Sequence, residues 1–235
     1  MNKKLASTAV AAGVIMAVAF AGPAFASTPS GPPKAPATLA SVQAKGAAET
    51  AKRVTALHAA LTRVDSRAGL SSADKATITA RFTEASAGET ALGVKIAADT
   101  TLATAKADLK SVYAYRVYAV LLPQAHIAEA ATISTTRLSD QAKKLTARLA
   151  GKDKSKSTDA LQADLADVTT QIAIITSKST GLAASALAVT AAQYDANHAV
   201  LNADKAAAKA IRSADKRAHA DLKAVRAALT KVTAQ

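Results

Sequence analysis

The sequence predicts an all-α fold, an elongated, coiled-coil-like antiparallel bundle of about six helices. Three observations carry this. From about Thr38 onward, apolar residues recur at steps of three and four, the spacing that puts them on one helical face. Aromatics are 3% of the chain and tryptophan is absent, so the core must be built from Leu, Ile, Val and Ala, which suits helices packed along their length. Gly/Asn turns and aromatic-rich alternating runs, the marks of strands and hairpins, are missing.

The chain opens with a different pattern. Residues 1–26 read as a secretory signal peptide. Lys3 and Lys4 form the basic n-region, Leu5 to Phe20 the apolar core, and Ala24-Phe25-Ala26 the cleavage site. The core is too short and too rich in Ala and Gly to span a bilayer, which needs about 20 apolar residues. Residues 27–37 form a Pro-rich linker carrying four of the six prolines. The helical domain is expected over 38–235. The product is expected to be secreted, extracellular or loosely associated with the envelope. No cysteine is present, so neither a disulfide nor a lipidated cysteine holds it. The chain has 30 Lys+Arg against 17 Asp+Glu, a net +13, and loss of Lys3 and Lys4 leaves +11.

The first helix carries Leu39, Val42, Thr50, Val54, Leu57, Leu61, Val64 and Ala68, with Gly46 weakening the stripe. It is expected to end before Gly69, in the left-handed position after the helix, with Leu70 making the following contact. Ser71 or Ser72 caps the second helix, with Asp74 in its first turn. That helix carries Ile78, Phe82, Ala85, Glu89, Leu92 and Ile96, and Glu89 interrupts its apolar seam. The two should form an antiparallel hairpin. Asp99-Thr100-Thr101 caps a third helix through Leu102, Ala105, Leu109 and Val112.

Ser111–Ala131 is the most apolar and most aromatic stretch of the mature chain. It holds Tyr113, Tyr115 and Tyr118, the run Val117–Leu122, and Pro123. Proline lacks an N–H and disfavours helix at the preceding residue, which predicts a break near Leu121–Pro123. A break near Ala114–Arg116 followed by a kinked helix is the competing reading. A fourth helix then runs through Ile127, Ala131, Ser134, Leu138, Ala142, Leu145 and Leu149 to Gly151. Ser157 or Thr158 caps a fifth, with heptads at Leu161, Leu165, Val168, Ile172, Ile175, Ser179, Leu182 and Ala186. A turn is expected at Tyr194–His198, where Thr190 and Asn197 are candidate caps. The last helix covers about 197–232.

Three short motifs stand in this frame: L-S-S-A-D-K (Leu70–Lys75), A-D-T-x-L (Ala98–Leu102) and Y-R-V-Y…L-P (Tyr115–Pro123). With them the chain resembles uncharacterised Ala-rich, all-helical secreted proteins of high-GC Gram-positive bacteria. The resemblance implies the helical secreted class. It implies no activity, ligand or catalytic residue.

The chemistry-bearing residues point to a protein that is not an enzyme. His58, His126, His198 and His219 each stand alone, and none forms a metal-ligand spacing. No nucleophile elbow, phosphate-cradling glycine loop or dinucleotide fingerprint is present. No cofactor is expected. Asp164 and Asp167, three apart, suit hydration or pairing with lysine better than a cation site. The three tyrosines with Arg116 offer either a stacking platform for sugars or bases, or packing where helices cross. Packing is the simpler reading beside so apolar a run.

The last helix carries the most informative surface. Val200, Ala203, Ala207, Ile211, Ala214, Ala218, Leu222, Val225 and Leu229 form a mostly alanine seam. Ala203-Asp204-Lys205 recurs as Ala214-Asp215-Lys216, an 11-residue period that predicts a nearly straight helix. Beside it runs a second stripe: Lys205, Lys209, Arg212, Lys216, His219, Lys223 and Arg226. Like charges at this spacing cost about 0.2–0.5 kcal/mol per pair, so the stripe is a candidate anion-binding face. The expected partner is a polyanion: a wall polymer, extracellular DNA or an anionic membrane surface. The alternative is a structural protein that forms a homo-oligomer through its alanine seam, its charge serving only solubility.

Overall fold

The computed structural model describes residues 36–150 and 156–232. The expected signal peptide, nearly all of the Pro-rich linker and Gly151, the expected end of the fourth helix, lie outside them. Every regular element among the described residues is helical, and none is long and apolar enough to cross a membrane.

Thr38 starts α1 (Leu39–Asp65), its hydroxyl accepting from the Ser41 N–H while Ser41 reaches back to the Thr38 N–H. Ser71 caps α2 (Ser72–Ala98) in the same way at Asp74. The two pair along their length, as the stripes require. Gly69 corrects its expected role. Its φ is not positive, and α1 already ends at Asp65. A Cβ on Gly69 would lie 2.9 Å from Thr132 Cβ and 3.1 Å from the Thr132 carbonyl oxygen. The glycine thus lets the α1–α2 turn approach the backbone at Thr132.

Thr101 caps α3 (Leu102–Ser111). The break then falls at residues 112–116 and not at Pro123. Arg116 adopts the left-handed conformation with φ 49°, costly for a residue with a Cβ. Its carbonyl accepts the N–H groups of Ala119, Val120 and Leu121. This widened π-helical turn, Val117–Leu121, runs directly into α4 (Leu122–Ala131). Pro123 sits in the first turn of α4, where a missing N–H leaves little unsatisfied. The competing reading of this stretch is therefore the observed one.

The single fourth helix is two. α4 stops at Thr132, whose hydroxyl donates to the Glu129 carbonyl, and α5 (Thr136–Ala150) starts after Ser134 accepts the Thr136 N–H. The run Thr132-Ile133-Ser134-Thr135-Thr136 combines β-branching with hydroxyls that compete for backbone groups, and both weaken a helix. Leu138 to Leu149 had hidden this by keeping the stripe in phase.

α6 (Lys156–Ser179) buries Leu161, Leu165, Val168 and Ile175, but Ile172 is only half-buried. Thr158 lies inside the helix and is not its cap. α7 (Leu182–Ala188) is separate, beginning after Gly181. Thr190 caps α8 (Ala191–Ala196) through a capping box with Gln193. α9 (Asn202–Val232) starts later than expected, because Asn197 instead accepts the Ala199 N–H in a turn.

Two apolar clusters result. One joins α1, α2, α4 and α7 through Leu57, Ile78, Phe82, Ala125, Ala128 and Leu187. The other joins α4, α5, α6, α7 and α9 through Ile127, Leu138, Val168, Ile175, Ile211 and Leu222. α4 and α7 contribute to both. Gln124 fastens them, its buried amide donating to the carbonyls of Ala186 at 2.8 Å and Val189 at 2.7 Å.

Candidate functional site

The alanine seam of α9 is occupied from within the chain. Ala208, Ile211, Ala214, Ala218, Leu222, Val225 and Leu229 are buried, chiefly against α6. Ala203 is exposed, and Leu201 takes the inward place at the start of the seam. Small residues allow this close approach of two helices. The seam is therefore not a free surface for a second copy.

The basic stripe is free. Lys205, Lys209, Arg212, Lys216, His219, Lys223 and Arg226 are all exposed, on a flank turned about a quarter-circle from the seam by the 100° step of the helix. Among the described residues, none of the six lysines and arginines of the stripe makes an ion pair. Arg212 donates from Nη2 to the His126 carbonyl of α4, a tie to backbone that leaves its charge uncompensated. His219 stands 3.4 Å from Asp215 Oδ1. The opposite flank differs. There Arg217 Nε donates to Asp167 Oδ2 at 2.7 Å. Asp167 is also held by Gln171 and by Asp221. Burial, then the Asp167 hydrogen bond, push the Asp221 carboxyl up. At Asp167 burial pulls upward, but the bonds from Asp221 and Gln171 and the Arg217 charge outweigh it, and its carboxyl is lowered. This contact joins α6 to α9 and pairs Asp167 with an arginine. Among the described residues no three His, Asp or Glu side chains stand close enough to hold a metal ion.

The tyrosines close over a buried ion pair. Arg53 is 5% exposed and Glu89 fully buried, with Arg53 Nη1 3.9 Å from Glu89 Oε1. The guanidinium carbon lies 4.7 Å from the centre of the Tyr113 ring and 5.1 Å from that of Tyr118. Such cation–π contacts contribute about 0.5–2 kcal/mol each. Tyr115 packs over Gly88, where a Cβ would fall 1.8 Å from the tyrosine hydroxyl. Arg116 is held elsewhere, donating to Asp195 at 2.7 Å. Arg53 thus lies against the Tyr113 and Tyr118 rings, while both tyrosines stay open to solvent at 37% and 42%. Neither Glu89 oxygen has a hydrogen-bond partner. Burial, opposed by Arg53 and helped by Glu49, pushes the Glu89 carboxyl up to about 7. The signal for this pair was legible: an acid in the apolar seam of a helix calls for a base on the facing helix.

The remaining histidines do separate things. His58 shares a hydrogen bond with Ser86 at 3.1 Å, and His198 packs edge-on against Tyr194. His126 lies 3.9 Å from Glu129, which also pairs with Arg63 at 3.2 Å. No family model matches this chain, and no curated protein or solved structure is similar to it.

Proposed function

We propose that this chain is an exported, non-enzymatic helical protein that binds polyanions of the cell envelope through the basic stripe of α9. The observation that carries the reading is the row of six lysines and arginines, exposed on one helix flank and without an acidic partner among the described residues. A helix that needs charge only for solubility gains by alternating signs at i,i+4, and this row forgoes that gain. The other flank of the same helix does pair its arginine, so acids were available. The signal-peptide pattern and the likeness to Ala-rich secreted proteins point to the same compartment. A wall polymer, extracellular DNA and an anionic membrane surface all present the required charge.

The test is retention on isolated cell envelopes. The whole protein should be held at low salt and released at high salt. Lys209→Gln, Lys216→Gln and Lys223→Gln together should abolish most retention with helicity unchanged, since glutamine is nearly as good a helix former as lysine. Retention of the triple variant equal to the unaltered protein would reject the reading. Arg212 is left in place because it also ties α9 to α4.

A further inference from the structure

A groove of about 820 Å³ lies between α5 and α9. The turn after α1 and the turn between α4 and α5 close one end of it, brought together at Gly69 and Thr132. Its walls carry Arg67 from the α1 end, Arg137 and Lys144 from α5, and His219 from α9. Ser134 and Thr136 add hydroxyls, and Asp140 and Asp215 add carboxylates. Arg67 is shared with Glu129, 3.9 Å away, and Asp215 faces His219. Arg137 and Lys144 are exposed and have no ion pair among the described residues.

Arg137, Lys144 and Arg148 follow at steps of seven and four, so they lie on one flank of α5, and Arg148 is exposed as well. Gln141, between them, also lines the groove, which fixes that flank as the one turned to α9. The stripe of α9 meets the groove at His219 from the other side. The groove thus holds Arg67, Arg137 and Lys144 in its lining, and the α9 row continues along its helix on either side of His219.

We infer that this channel is the seat of the polyanion and that its ligand is a single, flexible chain of phosphates separated by hydroxyl-bearing polyol units. This rests on the reading of the α9 stripe as an anion-binding face. The chemistry follows from the lining. Arg137 and Lys144 of α5 and Arg67 at the closed end meet phosphates, with arginine able to grip two oxygens at once. Asp140, Asp215, Ser134 and Thr136 suit the hydroxyls of spacer units and disfavour an unbroken phosphate run. A groove of about 820 Å³ holds a few units of a single chain and cannot take in a nucleic-acid duplex.

The experiment uses purified poly(glycerol phosphate) as the probe and binds it to the full mature chain. Three variants are compared: Arg137→Gln/Lys144→Gln/Arg148→Gln on α5, Lys209→Gln/Lys216→Gln/Lys223→Gln on α9, and Lys45→Gln/Lys106→Gln/Lys110→Gln as an equal-charge control. Each of the first two should weaken binding about tenfold beyond the control. Duplex DNA at the same phosphate concentration should fail to displace the probe. If the α5 variant binds like the control while the α9 variant is weakened, the channel is overturned and the α9 stripe stands alone. Should both bind like the control, both readings fall. Displacement by duplex DNA, or equal binding of inorganic polyphosphate, which lacks hydroxyls, overturns the assigned ligand class.

Discussion

Replacing Glu89 by glutamine should remove one component of the protein's pH-dependent stability. The carboxyl is fully buried, lacks hydrogen bonds, and is pushed up to about 7 from an ordinary 4.5. The folded chain then binds a proton that the unfolded chain has released between those two values. Stability contributed by the neutral carboxyl is fully present below about pH 4.5 and is lost as pH rises toward 7. A shift of this size corresponds to about 3 kcal/mol across the window. Asp221, also raised, acts in the same direction, and Asp167, lowered, acts in the opposite one. The difference between the native protein and Glu89→Gln isolates the single group. Urea unfolding at half-unit steps from pH 4 to 8 measures it. Glutamine leaves Arg53 facing Glu49 at 3.8 Å, an effect that shifts the curve without restoring its slope. The expected result is that the native midpoint falls by the equivalent of about 3 kcal/mol relative to the variant as pH rises. A difference curve that is flat, or that rises with pH, would refute the assignment of a raised carboxyl in this pocket.

Other outcomes follow from the packing. Arg53→Met removes the charge that holds the Glu89 carboxyl down; it should cost about 3–5 kcal/mol at pH 8, where the native pair is charged, and less at pH 5, where Glu89 is neutral in both proteins, and unfolding titrations at both values check this. Ile175→Ala should destabilise by about 2–5 kcal/mol and Ile172→Ala by clearly less, because only the first is fully buried. Their denaturant midpoints decide it. Gly69→Ala should cost about 1–3 kcal/mol by forcing the α1–α2 turn off Thr132, read as a lowered melting temperature. Under the proposed export the mature chain should begin at Ser27, and intact mass of culture supernatant checks this; a chain retaining residues 1–26 would contradict it.

Much of the fold was legible from period alone. The stripes of α1, α2, α6 and α9 follow steps of three and four, and the caps at Thr101, Ser71 and Thr190 carry hydroxyls where helix N–H groups need them. What was less legible depends on context. Pro123 reads as a breaker, but a π-helical turn fed by the Arg116 carbonyl places it in a first turn where proline is tolerated. Leu138 to Leu149 continue the phase of α4, so the stripe gives no sign of the break at Thr132. Gly69 serves a contact with a residue far along the chain, which local turn chemistry does not reveal. The α9 stripe was visible because one helix carries it. Arg67, Arg137 and Lys144 were not linked to it, since only tertiary packing brings three elements to one groove.

The most direct test of the central claim is the salt dependence of binding to the poly(glycerol phosphate) probe. If three or four phosphates of this single chain are neutralised at once, the log–log slope should be about −2 to −3, at about −0.7 per phosphate. With Lys209, Lys216 and Lys223 changed to glutamine, the slope should flatten and binding should largely vanish. The control lacking Lys45, Lys106 and Lys110 should keep its slope. Equal, modest losses in both variants would contradict the account and leave the α9 row as a solvated face of a basic protein.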